Sequence, residues 1–197
     1  MGESENGYGR KSGFGAPTIG SGMVEGIEDG PDEERLAANA EREKDAWART
    51  LADMKTRAEA YEEEDWETIA VPAGHTAAAH PEAGSSDRFG FVHTLPGNYA
   101  ATIREAIGEK DFPEYDVFRA STDGRVFLVT ELLDPNSRTA ILLAGSYELR
   151  TAEPLVAAAE ETGVCHTHLR TLDGTHLGSF EHDDYEKFVP RIDSFRE

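Results

Sequence analysis

Between residues 32 and 64 the large apolar residues recur at helical spacing. Trp47, Leu51, Met54 and Tyr61 share one stripe with Ala40 and Ala58, and acids and bases fill the other positions. Pro31 followed by Asp32, Glu33 and Glu34 is a helix entry, with proline in the first turn and carboxylates at the positive end of the dipole. Nothing breaks the pattern before about residue 64, so a long amphipathic helix over 31–65 is expected. Its stripe suits two uses. It packs across the chain's own globular part, or Trp47, Leu51, Met54 and Tyr61 contact a protein partner or a second copy. Packing within the chain is favoured, because the alanines make a weak coiled-coil seam.

Beyond residue 66 the period shortens to two, the mark of strands. Residues 66–71 form a short strand, and 72–87 read as a loop rich in Pro, Gly, Ala and Ser that carries His75 and His80. One order of elements then occurs twice: strand, helix, and two strands joined by Asp-Gly. The first unit spans 89–134 with its turn at Asp123-Gly124, and the second spans 139–184 with its turn at Asp173-Gly174. Asp-Gly between alternating runs is a strong hairpin signal. The expected fold is α+β: one mostly antiparallel sheet from two βαββ units over 66–197, preceded by the helix. Residues 1–30, with nine glycines and little to bury, read as a disordered tail.

Four of the seven histidines, His166, His168, His176 and His182, fall in the last hairpin. A two-residue Asp173-Gly174 loop would pair Thr171 with His176, Arg170 with Leu177, His168 with Ser179 and His166 with Glu181. One face would then show His166, His168, Arg170, Ser179 and Glu181. The other, with Cys165, Leu169, His176, Gly178 and Phe180, would face the core. Two imidazoles two residues apart with a carboxylate opposite suit a divalent metal, held by His166, His168 and Glu181. Glu131, at the matching point of the first hairpin, is a further candidate if the units are symmetric. The same groups with Arg170 would instead hold an anion, and the plain alternative is the wet face of an antiparallel sheet. In the first hairpin the equivalent face, Phe118, Ala120, Phe127, Val129 and Glu131, is mostly apolar, so the long helix, a ligand or a partner must cover it.

The charge narrows the partners. There are 39 acidic against 19 basic residues, a formal net charge of −20, and only five of the basic residues are lysine. Bare nucleic acid and anionic membranes would be repelled at low salt. Such a surface suits a cytoplasm at molar salt, where screening acts within about 3 Å. No stretch approaches the roughly 20 apolar residues of a membrane span. The single cysteine, Cys165, excludes an intrachain disulfide, and as the strand neighbour of His166 it points to the opposite face, so the two form no nucleophile–base pair.

The run 41–47, Ala73-Gly74-His75-Thr76-Ala77, Val129 through Asp134, Leu142 through Gly145, and Leu172 through Ser179 resemble an uncharacterised protein family of halophilic archaea. That resemblance implies a salt-rich cytoplasm, and it assigns no residue a role. Three functions are consistent with the sequence. The first is a binding module without catalysis or a cofactor. The second is a metal-dependent, hydrolase-like enzyme using His166, His168 and Glu181, with Glu131 as a further ligand. The third is association with a nucleoprotein particle, which molar salt permits.

Overall fold

The computed structural model describes residues 31–81 and 89–190. The glycine-rich segment 1–30 and most of the second half of the 72–87 loop lie outside the described residues.

The long helix α1, Pro31–Glu63, forms where the apolar stripe placed it. Met54 and Ala58 are buried, and Trp47, Leu51 and Tyr61 pack beside them. Their neighbours are Val129, Ala140, Leu142 and Ala144 on a sheet of the same chain, so the stripe is used in cis. The helix ends where the Tyr61 carbonyl accepts from the amides of Glu64 and Trp66, and Asp65, at φ 61°, turns the chain into the first strand. Among the described residues no helix is long and apolar enough to cross a membrane.

The remaining elements follow as β1 (Glu67–Pro72), β2 (His75–Ala79), β3 (Gly90–Leu95), α2 (Ala100–Ile107), β4 (Glu114–Thr122), β5 (Arg125–Asp134), β6 (Thr139–Glu148), α3 (Glu153–Thr162), β7 (Cys165–Thr171) and β8 (His176–His182). The repeated order is present, and a single 3-10 turn precedes the helix in each unit, Gly97–Tyr99 before α2 and Leu149–Thr151 before α3. Part of the expected 72–87 loop is strand β2. Ala77, Ala78 and Ala79 have no bulk to mark alternation, and pairing with β3 is what makes them a strand.

The class is α+β, but the strands form two four-stranded sheets where one was expected. The first has the order β1-β6-β5-β4 and the second β2-β3-β7-β8. Each repeat unit lends its opening strand to the other unit's hairpin: β6 joins β5 and β4, and β3 joins β7 and β8. The exchange is not symmetric, because β6 runs antiparallel to β5 and β3 runs parallel to β7. A tight turn at Pro135–Arg138, with Arg138 at φ 53°, leaves β6 no course but back along β5. β3 reaches β7 only through packing between residues distant in sequence.

The two sheets pack face to face. At one end Phe89, Phe91 and Cys165 of the second sheet and its approach meet Val126, Leu128 and Tyr147 of the first, with Leu155, Val156 and Ala159 of α3. At the other end Leu95 and Leu169 meet Leu132, Ile141 and Leu143, with Ile103 and Ala106 of α2. The outer face of the first sheet lies under α1, which is how the apolar face containing Phe118 and Val129 is covered. The buried apolar residues of α1, α2 and α3 all belong to these three cores. None of the cores includes Val92, Thr94, His166 or His168 of the second sheet's outer face.

Candidate functional site

That outer face is built on the β7–β8 ladder. His166 pairs with Glu181 and His168 with Ser179, the register the sequence implied. Beyond Leu169 the register shifts by a bulge, so Arg170 pairs with His176 where Leu177 was expected, and Thr171 leaves the ladder for the turn. The reason is the loop. In the first hairpin both Asp123, at φ 49°, and Gly124, at φ 80°, are left-handed, which makes a two-residue connection from Thr122 to Arg125. In the second only Gly174 is, at φ 85°. Asp173 instead accepts from the Thr175 amide at 3.1 Å and from the Thr171 hydroxyl, contacts that hold its carboxyl below the usual range. The loop is correspondingly longer and ends in the bulge.

The bulge moves His176 away from the core side where two-residue alternation put it. It is exposed, and its Nε2 lies 2.7 Å from Ser179 Oγ. On the other side of that hydroxyl, His168 Nδ1 also lies at 2.7 Å. A hydroxyl has one proton, so Ser179 donates to one imidazole and accepts an N–H from the other. The result is a His168–Ser179–His176 bridge along which a proton position on one ring dictates that on the other.

His166 continues the row. Its ring stacks on His168 at 5.6 Å and 12°, and Phe89 meets it edge-on. Nδ1 donates to the Phe89 carbonyl at 3.0 Å, which fixes the ring and turns Nε2 towards the Glu181 carboxylate, 3.5 Å away. A Cβ on Gly90 would fall 1.9 Å from the His166 carbonyl oxygen, so only glycine lets β3 close on β7 here. Arg170, exposed, donates through Nε to Thr94 Oγ1 at 3.3 Å.

Glu131 does not join this cluster. It lies on the first sheet, on the face under α1, where it is 3 % exposed. Tyr61 donates to its Oε2 at 2.8 Å, and Arg57 Nη1 pairs with its Oε1 at 3.3 Å. Desolvation and this carboxylate drive the Tyr61 phenol well above its ordinary range. The inference from pseudo-symmetry fails because the two hairpins belong to different sheets. Among the described residues, no three His, Cys, Asp or Glu side chains close on a common point at metal-ligand distance. Cys165 is fully buried between the sheets, opposite His166, and desolvation pushes its thiol up to about 12.

Two other histidines turn inward. His93 Nδ1 lies 3.0 Å from Thr76 Oγ1, and His182 Nε2 lies 2.8 Å from Thr167 Oγ1. The remaining nitrogen of each, His93 Nε2 and His182 Nδ1, is buried without a hydrogen-bond partner among the described residues. Gly145 makes room for the first pair, since a Cβ there would meet Thr76 Oγ1 at 2.4 Å and His93 Nδ1 at 3.0 Å.

Comparison with known proteins bears on the whole chain. A family model described as a family of unknown function, DUF7529, matches residues 33–190. The chain belongs to that family. The matched stretch runs from the first turns of α1 to the end of the described residues, so it includes both sheets and the histidine face. No similar curated protein and no similar solved structure is found.

Proposed function

We propose that this member of DUF7529 is a non-catalytic binding module that takes an anionic group, a carboxylate or phosphate of a small molecule or protein, on the outer face of the second sheet. The observation that carries this reading is the His168–Ser179–His176 bridge beside Arg170, on a face that none of the three helices uses for its core. In a chain of net charge −20, imidazole rings and a guanidinium gather on this face, where Arg170 and His176 are exposed and His168 and Ser179 are half-buried.

A titration with inorganic phosphate at constant ionic strength, followed by imidazole nitrogen shifts, tests this. Saturable shifts at His168 and His176 that Arg170→Gln weakens are expected. Shifts that merely track ionic strength overturn the reading.

One contact favours a second reading. His166 Nε2 and Glu181 Oε2, 3.5 Å apart, are spaced as two ligands each about 2 Å from one ion. On that reading a divalent metal sits between these two side chains and takes water at its other positions. Zinc added in the same experiment would broaden or shift His166 first. We also place the chain in the cytoplasm of a halophilic archaeon, a setting supported by its acidity and scarcity of lysine.

A further inference from the structure

We propose that the cleft between α1 and the β4–β5 hairpin is a second binding site, built for a small zwitterion: a free α-amino acid with an aliphatic side chain. Helix α1 is pressed onto the first sheet at Met54 and Ala58. One and two turns before Met54, on the side of the stripe away from Trp47 and Leu51, α1 presents the small Thr50 and Ala46, and a cavity of about 350 Å³ opens beside them. Such a volume suits a small metabolite. The far end is held by ion pairs to the hairpin. Arg42 Nε lies 2.8 Å from Asp123 Oδ2, and Glu43 Oε2 lies 3.1 Å from Arg125 Nε. The cleft is therefore spanned on one side by packing and on the other by charge pairs.

Its lining carries both signs. Asp45, Arg49 and Asp53 come from α1, Ser121 from β4, and Ala120 and Phe127 supply an apolar floor. Arg49 sits one helical turn from each aspartate, the spacing at which ion pairs form. Elsewhere on α1 such pairs are made, Arg35 with Asp32 at 2.9 Å and Lys55 with Glu59 at 3.6 Å. Arg49, Asp45 and Asp53 make no hydrogen bond or ion pair with the described residues. They stand exposed to solvent at the rim of the cavity, while the Thr50 hydroxyl turns back to the Ala46 carbonyl at 2.9 Å. A ligand that satisfies the set has a carboxylate for Arg49, an ammonium for Asp45 and Asp53, and an aliphatic group for Phe127 and Ala120.

The test is an amide-shift titration of the full chain with L-leucine, N-acetyl-L-leucine and L-leucinamide. Leucine should give saturable shifts at residues 120–122 and 127, and each derivative, lacking one charge, should bind roughly tenfold more weakly. Arg49→Gln should lower leucine affinity to that of leucinamide. Ala46→Leu should fill the cavity from the α1 side and abolish the shifts while the rest of the spectrum keeps its dispersion. Equal binding of leucine and its derivatives, absence of saturable shifts, or a folded Ala46→Leu variant that still binds would overturn the proposal. Arg170→Gln should leave leucine binding unchanged, which separates this site from the histidine face.

Discussion

Two inward-facing histidines show how a single side chain can set the behaviour of the fold. Burial holds His93 down to about 4 and His182 down to about 3, with neighbouring imidazoles adding to the effect. An unfolded histidine takes its proton near pH 6.5, so between there and pH 4 the unfolded chain binds more protons than the folded one. Stability is then full above about pH 6.5 and falls as the pH drops, by about 1.4 kcal/mol per pH unit for each histidine. Urea unfolding at pH 7 and pH 5 should show that loss. His182→Phe, whose ring would remain between Tyr115 and Phe188, should reduce the pH dependence even if it lowers stability at pH 7. Alternation along β3 and β8 puts His93 and His182 on the inner face of their sheet, but burial depends on the first sheet laid over them, which no local pattern encodes. The pairing of His166 with Glu181 was legible because it needs only the pleat. The place of His176 was not, since it turns on one φ angle at Asp173.

Among elements, α1 was the most legible and is the most testable. Its stripe contained the buried Met54 and Ala58 but also the exposed Ala40, and it left out the buried Thr50; Met54 is 6 % exposed, whereas Leu36, off the sheet in the first turns, is 64 % exposed. Met54→Ala should cost about 2–5 kcal/mol, the range for a deleted core side chain. Leu36→Ala should change stability by less than about 0.5 kcal/mol. Denaturant melts of the two variants give the comparison, and similar losses would mean that the helix is not held through its lower face. The hairpins are a different lesson. Asp-Gly marked both turns, yet the same dipeptide closes a two-residue loop in one and a longer, bulged loop in the other, because Thr171 and Thr175 bind the Asp173 carboxylate. That bulge brings His176 to Ser179, so a turn detail decides the composition of the candidate site.

At the scale of the molecule, charge dominates. With a net charge of −20, self-repulsion among carboxylates acts over about 10 Å at 0.1 M salt and about 3 Å at 1 M. The melting temperature should therefore rise when KCl is raised from 0.1 M to 2 M. The same experiment in equimolar sucrose, which screens nothing, should produce a smaller shift. A melting temperature indifferent to salt would show that the acidic surface carries little destabilising repulsion. By itself the sequence determined the elements other than β2 and their order, the α+β class, which face of α1 is apolar and which residues of β7 share a side, because each follows from spacing along one stretch of backbone. Only the tertiary structure decided that the repeats exchange their opening strands between two sheets, that Glu131 is sealed beneath α1, and that a cleft opens beside Arg49. Those outcomes depend on which distant surfaces exclude water from one another, and hydrophobic burial has no direction along the chain.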